Sequence, residues 1–146
     1  MAKPIYVLNG PTLNMLGTRE PEIYGTQTLA DVEAMTAERA TALGHSIDFR
    51  QSNSEGQLVD WILEARDKAC GIVLNGAAYT HTSVAIMDAI IASELPLVEV
   101  HISNIFKREE FRHHSYVSPV SLGFICGLGP IGYVLAVEAL ADHLKK

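Results

Sequence analysis

Apolar and polar positions alternate in two rhythms along this chain. Residues 5–8, 71–74 and 97–100 are short apolar runs without alternation, as in strands buried on both faces. Residues 45–50 alternate, with Ile47 and Phe49 against polar neighbours, and 121–126 read as a last strand. Helical spacing fills the intervals. Leu29, Val32, Met35, Ala40 and Leu43 share a helix over 28–43, with Thr28 or Asp31 in the first turn and Gly44 as the stop. A cap-like 52–55 precedes Leu58, Trp61, Ile62 and Ala65 on one helical face. Helices are also predicted over 84–93, after a capping stretch at 80–83, and over 131–144, after Gly127-Leu128-Gly129-Pro130. This is β-α repeated about five times, which predicts a parallel sheet with helices on both faces. The expected fold is α/β: a flavodoxin-like, doubly wound five-stranded parallel sheet of order 2-1-3-4-5, one domain over 1–146.

One stretch breaks the rhythm. After the first strand, NGPTLNMLGTREPEIYG (9–25) runs far longer than an ordinary strand-to-helix connection. Leu13, Met15, Leu16, Ile23 and Tyr24 make it too apolar for a solvated tail. Gly17 and Gly25 bracket a segment carrying Arg19 and Tyr24, so 18–25 reads as an active-site lid with glycine hinges.

Composition narrows the partners. The 146 residues are 48% hydrophobic, enough for a core, and the formal charge of -6 with a pI near 5.4 argues against a nucleic-acid partner. No apolar run has the length of a membrane span, and the N-terminus lacks the features of a signal peptide. Cys70 and Cys126 lack metal-ligand or CxxC spacing and read as small buried residues of a reducing compartment. A cytoplasmic location is expected.

Ligands of open parallel sheets bind beyond the carboxyl ends of the strands, near the reversal of strand order. Asn9, Arg19 and Tyr24 follow the first strand; Asn75 and His81 follow the third; Glu99 and His101 lie on the fourth, with Ile102, Ser103 and Arg112 beyond it. Singly, Asn75 reads as a turn former, His81 as a cap and Arg112 as a solvated charge. Together, at one sheet edge, they read as a site. Lys3, Lys68, Lys145 and Lys146 are peripheral and Lys107 lies in a charged run, which disfavours imine catalysis. His81 and His101 lack a third zinc ligand at sensible spacing, and the glycine-rich loops lack phosphate-binding fingerprints. Metal-free acid-base chemistry remains. A phenol near 10 is about 0.1% ionised at pH 7, so a tyrosine base needs a cation beside it, which Arg19 is placed to supply. Glu99 and His101, two apart on a strand, point to one face, where a carboxylate fixes the imidazole tautomer and favours its protonated form. Such a pair fits removal of a proton alpha to a carbonyl and loss of a hydroxyl.

The segments LNGPTLNMLGTREPEIYG, RQSNSEGQLVDWI, THTSVAIMDA, LVEVHISN and REEFRHHSY, in this order, resemble type II 3-dehydroquinate dehydratases, and the resemblance runs from about residue 5 to 143. It implies reversible trans-dehydration of 3-dehydroquinate to 3-dehydroshikimate, in the shikimate or quinate pathway, through an enolate, with no imine, metal or cofactor. Position by position, it makes Tyr24 the proton acceptor, His101 the donor, Arg19 the transition-state arginine and Glu99 the carboxylate that orients the acid. Asn75, His81, Arg112, Ile102 and Ser103 become substrate-binding residues, the last two through backbone N–H groups on the substrate carboxylate. Asp88 becomes a residue lent to a neighbouring subunit in a dodecamer of four trimers.

Two positions depart from the family pattern. Thr12 stands where an asparagine usually holds a water against the developing enolate, and keeps only part of that role. Gly76 replaces a common proline, loosening the turn without removing a functional group. A catalytically weak flavodoxin-like module binding a small cyclic carboxylate is the alternative, favoured by Thr12 and opposed by Tyr24, Arg19 and His101 together. A phosphate-binding flavoprotein is disfavoured by the missing phosphate loop.

Overall fold

The computed structural model describes residues 2–146. Five parallel strands, β1 (Ile5–Asn9), β2 (Ile47–Gln51), β3 (Gly71–Asn75), β4 (Leu97–His101) and β5 (Gly123–Cys126), form one sheet of order β2-β1-β3-β4-β5. The anticipated strand order is the observed one. Alternation along β1 divides the core: Ile5 and Val7 face one cluster, Tyr6 and Leu8 the other. Helices α2 (Leu29–Ala42) and α5 (Ile131–Leu144) cover the first face; α3 (Glu55–Lys68) and α4 (Val84–Ser93) cover the second.

Helices α2, α3 and α4 begin at side-chain caps. Thr28 and Asp31 form a reciprocal capping box on α2, and the Ser54 and Ser83 hydroxyls accept the Gln57 and Ile86 amides. The anticipated 84–93 and 131–144 spans are observed without change. Edge strand β2 is pinned by charge. Arg50 contacts Asp48 and Glu64 at 2.9 and 2.8 Å, and the Tyr6 hydroxyl donates to Glu64 at 2.5 Å. Burial, then the bond to Glu64, pushes the Tyr6 phenol up to about 12.

The register brings the strand ends level, with Asn9 opposite both Gln51 and Asn75. Strand order reverses between β1 and β3, and there the two backbones nearly touch. A Cβ on Gly10 would lie 2.5 Å from the Gly76 carbonyl oxygen, so only glycine fits. Gly76 itself has φ −73°, within reach of a proline ring, so the turn keeps a proline-like course.

The segment after β1 is more ordered than a plain loop. It holds a 3-10 turn, Leu13–Met15, and a single helical turn α1, Pro21–Tyr24, with proline at its start. Gly17 and Gly25 have φ of 93° and 81°, backbone that a side chain would strain, so the bracketing glycines are conformationally required. The charged 107–112 region likewise winds into short turns, Ile105–Lys107 and Glu110–Arg112. Among the described residues no helix is long and apolar enough to cross a membrane.

Candidate active site

Loops beyond β1, β3 and β4 enclose a cavity of about 130 Å³. Thr12, Arg19 and Tyr24 reach it from the first loop, Asn75 and His81 from the second, and His101, Ile102, Ser103 and Arg112 from the third. Of the site residues singled out in the sequence, Asn9, Glu99 and Asp88 do not line it, and Asn9 is fully buried at the end of β1. Glu99 lies fully buried behind His101, whereas Asp88 sits exposed on α4. No lysine lines the cavity.

Tyr24 is held by two cations in different ways. The Arg19 guanidinium lies 5.2 Å from the ring centroid, over its face, and also meets Glu20 at 3.5 Å. The hydroxyl itself accepts an N–H from Arg108 at 2.7 Å. Arg108 is the residue that sequence reasoning missed: it lay unremarked in the charged run after β4. Its signal was position, in the same loop as Ser103 and Arg112.

Opposite the cations is a buried acid-base pair. Val98 and Val100 join the first core and Leu97 the second, so Glu99 and His101 share the α3/α4 side of β4. Glu99 Oε2 and His101 Nε2 are 2.6 Å apart. A carboxylate only accepts, so Nε2 carries the proton and Nδ1 is left for a ligand. The remaining capacity of Glu99 is filled from the β4–β5 connection. Ser115 accepts the Val117 and Ser118 amides, each at 3.0 Å, and therefore donates its own O–H to Glu99. The Ser118 hydroxyl donates to the same carboxylate. A buried carboxylate persists only with such partners.

His81 stacks on His101 with ring centroids 6.2 Å apart, and its Nδ1–H donates to the His114 carbonyl at 2.8 Å. Burial holds its pKa below the ordinary histidine value; His101 and Arg112 push the same way, against the His114 bond and Glu99. Neutral His81 thus offers Nε2 as an acceptor. Arg112 is tied through Nε to Glu109 at 2.5 Å, a contact that holds the Glu109 carboxyl below its usual range.

Among the described residues, three of the four non-glycine residues with positive φ flank the cavity: Thr12 (67°), Glu20 (43°) and Ala77 (49°). Thr12 is the strained one, because a β-branched residue fits this region poorly. Its amide is clamped by the Asn53 side chain at 3.0 Å, and Asn53 is held in turn by Gln51 and Tyr79.

A flavodoxin-like sheet with three arginines and two histidines at its switch point defines an acid-base site for a small anion. The model for class II dehydroquinases matches residues 3–141, and the chain belongs to that family. It is 57% identical over 145 residues to 3-dehydroquinate dehydratase 2 of Pseudomonas aeruginosa, covering 99% of this chain and 98% of that one. To the 3-dehydroquinate dehydratase of Streptomyces avermitilis it is 64% identical over 139 residues, covering 94% and 87%. The crystal structure of a type II dehydroquinase from Propionibacterium acnes superposes with a TM-score of 0.92 at 49% identity, covering 97% and 98%.

Proposed function

We propose that this chain is a 3-dehydroquinate dehydratase that forms 3-dehydroshikimate through an enolate, with Tyr24 as base and His101 as acid. One observation carries the reading: a tyrosine oxygen bonded by a guanidinium and a histidine bonded by a buried carboxylate line the same cavity. Tyr24 takes the proton alpha to the carbonyl, and the C–H electron pair moves to the carbonyl oxygen as an enolate. As the enolate collapses, the bond to the beta hydroxyl breaks, and His101 delivers the Nδ1 proton so that it leaves as water. Arg108 and Arg19 stabilise the negative charge on the Tyr24 oxygen, and Glu99 the imidazolium. Asn75 and the Ile102 and Ser103 amides bind the substrate carboxylate; His81 and Arg112 bind ring hydroxyls; Thr12 holds a water at the enolate.

The protein works as a cytoplasmic homo-oligomer, a dodecamer of four trimers in which Asp88 completes a neighbour's site. Exposed Leu122 and Phe124, at and beside the open edge strand β5, support burial against another copy. Light scattering of the purified protein tests the assembly. Residues 18–25 act as a lid: Arg19 is then a preferred trypsin site, protected by 3-dehydroshikimate. Cleavage indifferent to saturating ligand would contradict closure.

The decisive assay mixes protein and 3-dehydroquinate without added metal and follows near-ultraviolet absorbance of the conjugated enone. Activity that survives borohydride and disappears in Tyr24→Phe supports the imine-free mechanism. Tight binding of 3-dehydroshikimate without turnover favours instead the binding-module reading, for which Thr12 in its strained position is the one structural argument.

A further inference from the structure

Tyr133 takes no part in the chemistry above, yet it is fully buried on α5 beneath the strand ends and links two asparagines there. Its hydroxyl and Asn9 Oδ1 are 2.7 Å apart, and Asn75 Nδ2 lies 2.9 Å from the same hydroxyl. Backbone groups at both ends fix the direction of these bonds. Asn9 Nδ2 donates to the Arg50 carbonyl at 2.9 Å, a group that only accepts, so Asn9 turns its oxygen toward Tyr133. That oxygen takes the single Tyr133 proton. Only lone pairs then remain on the Tyr133 oxygen, and Asn75 must offer it an N–H. From the other end, the Ala77 amide, which only donates, reaches Asn75 Oδ1 at 3.1 Å. Both ends demand the same orientation of the Asn75 amide. Its nitrogen carries two protons and one is spent on Tyr133, so the second remains for the cavity that Asn75 lines.

We propose that Tyr133 is a positioning residue: it holds the Asn75 amide with an N–H presented to the cavity, and so selects an acceptor, the substrate carboxylate, at that end of the site. The inference rests on the dehydratase reading above. Burial drives the Tyr133 phenol far above its ordinary range, so the relay keeps its proton throughout the working pH range.

The test is steady-state kinetics on the full chain with 3-dehydroquinate, with calorimetric binding of 3-dehydroshikimate alongside. Tyr133→Phe should raise KM and the product dissociation constant about 5- to 10-fold, with kcat changed less than about two-fold, because carboxylate binding is common to ground and transition states. In an Asn75→Ala background the same substitution should add nothing. Asn9→Leu, which keeps the hydroxyl but removes its acceptor, should raise KM in the same way. A drop in melting temperature with unchanged KM would mean a merely structural tyrosine and would overturn the proposal. So would an equal effect with Asn75 already removed. An inactive parent would overturn the functional reading itself, an outcome distinct from a working parent indifferent to Tyr133→Phe.

Discussion

The Arg108 guanidinium donates to the Tyr24 hydroxyl at 2.7 Å across 84 residues of chain, while Arg19, on the same loop as Tyr24, lies over the ring face at 5.2 Å. The two cations are therefore unequal. If Tyr24 is the base, a donor aimed at its oxygen stabilises the charge it takes on, whereas a cation over the ring acts mainly by proximity.

Replacing Arg108 with methionine should accordingly lower kcat by about 10²- to 10³-fold, the loss typical of one aimed donor. Arg19→Met should cost less. Single-turnover measurement of enone formation checks this, since it isolates chemistry from product release. Equal losses in the two variants would contradict the assignment of the aimed contact to Arg108.

Glu99 accepts hydrogen bonds from His101, Ser115 and Ser118. Glu99→Gln preserves shape but turns an obligate acceptor into a group with donors of its own facing three donors. We expect kcat to fall about 100-fold with KM within two-fold, because the acid and not the binding pocket is affected. Ser115→Ala should act differently. It also strips the Val117 and Ser118 amides of their acceptor, so stability should fall by about 1–3 kcal/mol in urea, with the smaller effect on kcat. Intact stability in Ser115→Ala would show that water replaces the hydroxyl.

Much of the fold was legible because its signals were local. Helices α4 and α5 could be bounded from Ser83, Pro130 and the apolar spacing between. Strand order followed from the number of β-α units. The candidate site was legible where residue type met strand end, as at Asn75 and His101, which line the cavity, and Glu99, which bonds His101. Arg108 was not, because nothing local distinguishes it from Lys107 or Arg112: only the return of the loop after β4 onto the β1 loop puts its side chain on Tyr24. The Tyr133 relay was equally hidden, since a tyrosine on a core-facing helix position reads as packing. The helical turn α1 after β1 escaped because four residues are too few for a periodic pattern.

Thr12 has φ 67°, and no hydrogen bond from its side chain caps the turn that follows. Asparagine adopts this conformation more readily and brings an amide donor. Thr12→Asn should therefore stabilise the chain by about 0.5–1 kcal/mol, a rise in melting temperature of roughly 2–4 °C at fixed protein concentration. Turnover should rise as well, as a water at the enolate gains a firmer holder. An unchanged or lower kcat would sink the catalytic half of this prediction; the melting temperature tests the other half alone.

His81 gives a pH dependence whose sign can be worked out. Burial keeps its pKa in the folded chain below the ordinary 6.5, with Glu99 and the His114 carbonyl opposing and His101 and Arg112 assisting. At pH 7.5 both states are neutral there and the site contributes nothing to pH dependence. As pH falls below about 6.5, the unfolded chain takes up a proton that the folded site refuses, so more protons are bound unfolded and stability declines. The decline ends once pH passes below the folded value. Glu64 and Glu109, both held below 4.5 by arginine partners, lose their stabilising charge only at more acid pH. The window from 7.5 to 5.5 therefore favours His81 as the source among these groups. His81→Gln should lose less stability across it than the parent, measured by urea unfolding at both pH values. A parallel decline in the two proteins would place the proton uptake elsewhere.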